Sequence, residues 1–479
     1  MNVRKMNQQE KVAYMLSEPV PHLVCQMALP TIISMLVTSF YNIVDTFFVG
    51  KINTQATGAV GVVFSVMALI QACGFFFGHG SGNFISRKLG SGEFEEANKM
   101  ASTGFFSAFF TGTILGILGL VFLSPLAKAL GSTPTILPYT KDYMRIILMG
   151  CPFTMSSFVL NNQLRFQGSA SYAMVGIVTG AVLNILLDPL FIFVCDMGVA
   201  GAALATVISQ VVSFSVLFFM SRRGGNIRVR FRDFTPSAYI YKEIFRGGIP
   251  SLCRQGLASV SHICLNQAAG IYGGVYGEAY GDAAIAAMSI VGRISMFANS
   301  ALIGFGQGFQ PVCGMNYGAK KYARVRQAFA FCVKYAAIFL VVISLAGFGL
   351  ARPLVALFRK EDADVINIGT LALRLQCIVF PLNAWIVMCN MMLQSIGKAA
   401  KASLVAAARQ GFFFIPLIWT LPLFFGLLGV QMCQTWSDAC SFALSVPLGL
   451  GVLKEMREAK EEPGEAEGAG ESEARQEAD

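Results

Sequence analysis

The chain has 479 residues, of which 55% are hydrophobic, 12% aromatic and only 13% charged, with a mean hydropathy of +0.60. A soluble chain carries roughly 25% charged residues. This composition therefore excludes a soluble enzyme, a nucleic-acid-binding domain and a secreted disulfide scaffold, and indicates a polytopic α-helical membrane protein. The formal charge of +9 hides an acidic stretch at 454–479, with ten acids and four bases, and a strongly basic remainder. In a membrane protein that excess is a topology signal.

The polar start, residues 1–19, lacks a short apolar core, so a cytoplasmic segment without a cleaved signal peptide is expected. Apolar runs long enough to span follow near 20–49, 57–85, 101–127, 142–164, 172–195 and 198–221. A basic segment at 222–245 is expected to link two halves. Six more runs lie near 246–271, 283–312, 327–351, 366–394, 402–425 and 427–453. The stretch 454–479 is expected to be a disordered cytoplasmic tail. With the N-terminus inside, 26 of the 36 Lys and Arg fall inside or near the cytoplasmic ends of spans, six fall outside (Lys51, Lys128, Lys141, Arg352, Arg359, Lys360) and four lie elsewhere within spans. Both termini are then cytoplasmic in a multi-pass cell-membrane protein.

The chain repeats itself. GHGSGNF (78–84) matches GFGQGFQ (304–310), Leu29-Pro30 matches Ile249-Pro250, and Pro152, Asn161, Leu164 and Gly168 match Pro381, Asn390, Leu393 and Gly397. Each copy holds six spans, an even number, so the copies share one topology and are related by an axis along the membrane normal. The expected fold class is all-α, with twelve transmembrane helices in two pseudo-symmetric six-helix bundles, 20–221 and 246–453.

No phosphate-binding loop and no large soluble domain is visible, so transport would draw on an ion gradient. The twelve Cys show no metal-ligand spacing and read as packing residues. Neither an enzyme nor a metal site is expected. Three acids lie clearly within spans: Asp45, Asp188 and Asp438. Intramembrane charge is costly and usually functional. Asn184 lies four residues before Asp188, on the same helix face, and Asp45 and Thr206 fall at similar depth. The matching second-copy positions are Leu265, Gly411, Ile415 and Gln434, so the scaffold does not require the acids. Two crowded carboxylates suit a group that takes up and releases a proton. With the Asn carbonyl and Thr hydroxyl they also form a hard-oxygen set suited to Na⁺. Asp438 is expected to pair with a buried base or face a central cleft. Tyr41, Asn161, Asn162, Arg254 and Arg293 are the other polar candidates for that cleft. His79, between glycines, reads as a packed or backbone-bonded histidine.

YNIVDTFFVG, the GxGSGNFISRKLGSG end of span 2, LNxLLDPLFIF in span 5 and the Ile-Pro-Ser-x-x-Arg-Gln-Gly of span 7 resemble the multidrug and toxic compound extrusion (MATE) family, in its MepA- and DinF-like bacterial branch. The resemblance covers roughly residues 20–453. It implies a V-shaped pair of bundles around a cleft, and export of amphipathic, often cationic, organic compounds in exchange for H⁺ or Na⁺ by alternating access. It implies coupling at Asp45, Asn184, Asp188 and Thr206, and bending of the first helix at Pro30. Span 7 carries Arg254 and no acid, unlike the NorM-like branch. The expected partners are small amphipathic substrates and the bilayer, with no cofactor beyond the coupling ion, no nucleic acid, and a monomeric state. The alternatives are a lipid-linked saccharide flippase or a narrow-specificity metabolite exporter on a related scaffold.

Overall fold

In the computed structural model, which describes residues 6–358 and 362–459, every regular element among them is helical. Residues 1–5, Arg359, Lys360 and most of the expected acidic tail, from 460 on, lie outside the described residues. A short helix, α1 (Gln8–Ser17), comes first. The first bundle holds α2 (Val20–Gly50), α3 (Thr54–Gly90), α4 (Phe94–Val121), the short α5 (Leu123–Ala129), α6 (Leu137–Phe166), α7 (Ala170–Pro189) and α8 (Gly198–Ser221). The second holds α9 (Ala238–Gly274), α10 (Glu278–Gly318), α11 (Tyr322–Gly349), the short α12 (Ala351–Phe358), α13 (Ala363–Val379), α14 (Asn383–Ser395), α15 (Ala399–Ala407), α16 (Phe414–Phe425) and α17 (Leu427–Glu458). A 3₁₀ turn at Phe380–Leu382 joins α13 to α14, and a π-helical turn at Ala408–Phe412 joins α15 to α16.

Among the described residues, eleven helices are long and apolar enough to cross a membrane. The expected seventh span, α9, is 37 residues long and is not one of the eleven. Arg254, Gln255, Ser259, Ser261, His262, Asn266 and Gln267 dilute its apolar character. It packs against α3, α10 and α15 all the same; Arg254 and Ser261 find partners there in Asn390 and the Gln410 carbonyl, while Ser259, His262, Asn266 and Gln267 are exposed. It also begins at Ala238, inside the segment expected to be linker, because Ser237 caps it by accepting from the Ile240 amide at 3.3 Å.

Apolar side chains gain little by leaving lipid for protein, so close backbone approach through small residues drives helix association in a membrane. Here glycines line the seam between the bundles. A Cβ on Gly318 would lie 2.0 Å from the Arg87 carbonyl oxygen, and one on Gly90 would lie 2.0 Å from that of Met315. Gly308 faces the Ala28 backbone, Gly304 faces Ile32, and Gly247 meets Gly80. Thr31 Oγ1 donates to the Gly304 carbonyl at 2.6 Å, and the Ser39 and Ser300 hydroxyls meet at 2.6 Å. Apart from the Ser39–Ser300 pair near mid-helix, these contacts occupy the halves of α2, α3, α9 and α10 nearest the basic ends of the spans, called here the basic face. The bundles therefore close on each other there.

The polar start is not merely a solvated segment. Asn7 and Glu10 form a reciprocal capping box at 2.8 Å each, which starts α1. The helix then docks across the seam. Lys11 Nζ donates to Ser169 Oγ at 2.8 Å and Asn226 Oδ1 at 2.7 Å, on the first bundle's side. Asn316 donates to the Met15 carbonyl, and Arg324 donates to that of Glu18 at 2.6 Å, on the second bundle's side. Burial without a carboxylate partner lowers the Lys11 ammonium from its ordinary 10.5 to about 7. Between those values docked Lys11 holds fewer protons than undocked Lys11, so docking strengthens as pH rises above about 7.

Candidate functional site

Asp188 sits one residue before Pro189, where α7 gives way to a π-helical turn at Leu190–Val194. Proline removes an amide donor and loosens the helix, and π turns recur at functional sites. The Asp188 side chain is wholly buried, and Asn184 and Thr206 are 3% and 8% exposed. Asn184 Nδ2 donates to Asp188 Oδ1 at 3.3 Å and to Thr206 Oγ1 at 3.4 Å. Asp45, on α2, approaches Asp188 closely enough for a hydrogen bond if one of the two carries a proton. The structure thus brings together Asp45, Asn184, Asp188 and Thr206, four residues spread over 162 positions of sequence and three helices.

The shortage of donors is the site's main chemical feature. Asp45 Oδ1, Asp188 Oδ2 and Asn184 Oδ1 are buried with no hydrogen-bond partner in the protein. No Lys or Arg pairs with either carboxylate among the described residues. Unpartnered buried oxygens are costly, and a proton or a small hard cation would satisfy them. Tyr41 lies beside both acids, and the fully buried Tyr143 of α6 lies against Asp45 and Thr206. Tyr143 escaped the sequence reading, although a tyrosine at the polar start of span 4, at the depth of Asp45, was the available signal.

The second bundle has an acid at a different position, four residues after Gln434, the counterpart of Thr206. Asp438 is wholly buried and is not a cleft residue. Arg409 Nε donates to its Oδ1 at 2.8 Å, Gln434 Nε2 donates to the same oxygen at 2.7 Å, and Asn383 donates to Oδ2 at 3.0 Å. A carboxylate so neutralised and hydrogen-bonded has no need of a further cation. Removing one partner of a buried pair typically costs about 3–5 kcal/mol. Arg409→Gln is accordingly expected to lower the thermal midpoint of the purified protein sharply, and the double variant with Asp438→Asn to restore most of it while export continues. Loss of export in Asp438→Asn at normal stability would give Asp438 a coupling role instead.

The remaining cleft candidates divide. Asn161 is 8% exposed and donates to the Ala173 carbonyl at 3.1 Å, so it ties α6 to α7 and does not line an open cleft. Asn162 is fully buried and accepts from Arg165 at 2.6 Å. Both amides are engaged in contacts within the first bundle. Arg254 donates to Asn390 at 3.3 Å, near Arg165 and His79. Arg293 is exposed. Pro30 is buried within α2, which continues as helix on both sides of it.

Arg165, at the C-terminal end of α6, is only 1% exposed. Its Nη1 donates across the seam to Gln307 Oε1, and its Nη2 reaches His79 Nε2 at 3.2 Å. His79 Nδ1 meets the Phe75 carbonyl at 3.2 Å. A neutral ring with its proton on Nδ1 satisfies both contacts, so His79 is the backbone-bonded residue expected. Arg87 adds a second bridge, from α3 to the Ser395 carbonyl at 3.0 Å and to Glu243 at 3.5 Å.

The comparisons with known proteins fit this architecture. The Multidrug export protein MepA of Staphylococcus aureus (strain MSSA476) is 28% identical over 424 residues, which is 88% of this chain and 91% of that protein. The Multidrug export protein MepA of Staphylococcus haemolyticus (strain JCSC1435) is 29% identical over 409 residues, covering 84% of this chain and 87% of that one. A solved structure described as the outward-facing conformation of a multidrug resistance MATE family transporter of the MOP superfamily superposes with a TM-score of 0.86 at 26% identity, covering 93% of this chain and 98% of that chain. The MatE family profile matches residues 30–190 and 260–420, once in each bundle. The chain is a member of the MatE family.

Proposed function

We propose that the protein is an ion-coupled exporter of amphipathic organic compounds, working by alternating access in the cell membrane with its basic face and both termini in the cytoplasm. The observation that carries this reading is the pair of acids in the first bundle, Asp45 and Asp188, with buried oxygens that no basic group neutralises. Taking up a proton, or a Na⁺ held by Asp45, Asp188, Asn184 Oδ1 and Thr206 Oγ1, removes mutual repulsion and changes how α2 packs on α7. Because α2 also lines the seam through Thr31 and Ser39, occupancy of the site and closure of the bundles act on the same helix. The second bundle, with its acid already paired, serves as the fixed partner.

The relatives named as multidrug export proteins support a broad substrate class, as does the abundance of 21 Met and 40 Phe, whose side chains adapt to varied apolar shapes. The test is export of a fluorescent organic cation from proteoliposomes, driven in turn by a pH gradient and a Na⁺ gradient. Flux under the pH gradient alone assigns H⁺, and flux under the Na⁺ gradient alone assigns Na⁺. The absence of flux under both refutes the reading and turns attention to a lipid-linked saccharide or a single metabolite as cargo.

A further inference from the structure

A second, separate site lies on the segment between α8 and α9. A recess of about 360 Å³ is lined by Arg222, Arg228, Val229 and Arg230, within the size range of small-molecule pockets. Three guanidiniums point to one anionic ligand. Among the described residues none of the three is in an ion pair or donates a side-chain hydrogen bond, and Arg222 rests on the Phe218 ring at 4.5 Å. Each guanidinium carries five donors, and three of them around one recess suit the oxygens of a phosphate.

The recess is fixed by its backbone. The Ile227 amide donates to Gln167 Oε1 at 2.7 Å and the Arg230 amide donates to Ser102 Oγ at 3.2 Å. Ile227 and Val229 are buried while Arg228 and Arg230 stand out. The alternation holds the arginines on one side of an extended strand of chain. Its location identifies the source of the phosphate. Arg222 is the C-terminal cap of α8, a membrane-crossing helix, so the recess opens where lipid headgroups lie. Phe231, 66% exposed, stands beside it and packs edge-on against Phe106 at 5.2 Å, and Phe219 is 51% exposed. A free anion needs no apolar neighbours, whereas a phospholipid has a headgroup for the arginines and chains for the aromatics. Basic pockets at the ends of membrane helices are recognised headgroup sites on these grounds.

We propose that Arg222, Arg228 and Arg230 bind the phosphate of an anionic membrane phospholipid, which pins the connection between the two bundles to the bilayer surface. This site is independent of the exported cargo and of the coupling ion. The test uses the purified full-length protein in a neutral detergent, with native mass spectrometry to count retained lipid and a thermal midpoint to measure its effect. Phosphatidylglycerol is expected to bind at least tenfold more tightly than phosphatidylcholine and to raise the midpoint. Arg228→Gln with Arg230→Gln, both at exposed positions, is expected to bring phosphatidylglycerol down to the phosphatidylcholine level without changing the lipid-free midpoint. A control of equal charge, Lys454→Gln with Arg457→Gln, is expected to keep the preference. Equal retention by parent and Arg228/Arg230 variant, equal loss in the control, or full stabilisation by inorganic phosphate alone would each overturn the proposal.

Discussion

Asp188→Asn is expected to abolish gradient-driven export while leaving the protein folded and in the membrane. Asparagine keeps the shape of the side chain and can still meet Asn184, the neighbour that donates to Asp188 Oδ1 at 3.3 Å. What it cannot do is change charge or hold a cation. One elementary charge crossing 100 mV supplies about 2.3 kcal/mol, roughly a 50-fold concentration ratio of solute. Without a site that carries the charge, the variant can equilibrate substrate but not accumulate it, so that ratio collapses to one. Asp45→Asn is expected to act in the same direction, and Thr206→Val to weaken coupling less, because Thr206 contributes one neutral oxygen. The readout is steady-state accumulation in proteoliposomes at matched protein density, with substrate binding measured separately. Undiminished accumulation by Asp188→Asn would sink the coupling role.

Gly318→Val is expected to stall the cycle from the other end of the molecule. The new Cβ would sit 2.0 Å from the Arg87 carbonyl oxygen. That oxygen belongs to helix backbone and cannot rotate aside. Overpacking of this kind typically costs about 1–3 kcal/mol and sometimes more. The upper figure moves a two-state equilibrium on the order of 100-fold. The penalty applies only while the bundles touch at the basic face, because an open seam has room for the side chain. Export is therefore expected to fall at least tenfold, with distance measurements between labels on α3 and α10 showing a wider basic face. Gly318→Ala should give the same sign with smaller size. Gly256→Val is the control, since a Cβ there meets nothing within 4 Å. Wild-type export by Gly318→Val would show that closing this seam is not part of the working cycle.

Much of the fold was legible because a bilayer leaves the chain few options. Backbone polar groups must be satisfied internally, so apolar runs become helices, and the run at 198–221 coincides with α8 at both ends. The grouping of Asp45, Asn184, Asp188 and Thr206 was legible for a related reason. Charge within a span is rare enough to stand out, and an i, i+4 spacing fixes a shared face. The pairing of Arg409 with Asp438 was not legible. The two are 29 residues apart on different helices, and the π-helical turn at Ala408–Phe412 shifts the face on which Arg409 emerges. The burial of Arg165 was not legible either, because a base near a span's end ordinarily reaches water, whereas here the second bundle covers it with Gln307. α1 had a local signature in Asn7 and Glu10, but two residues of a capping box do not reveal what the helix docks against.

The docking of α1 has a consequence for biosynthesis. This helix is the first described element to leave the ribosome, yet the residues that hold its C-terminal end, Asn316 and Arg324, are made some 300 positions later. At about 5–20 residues per second, the interval is roughly 15–60 s. Throughout it, the face that later buries Val12 and Met15 has no finished surface to rest on. A chain arrested after the first bundle would lack the second bundle's share of that surface, including Asn316 and Arg324. The settled position of α1 thus reports that both bundles have been completed, and the unsettled one offers a quality-control protease a handle on those that have not.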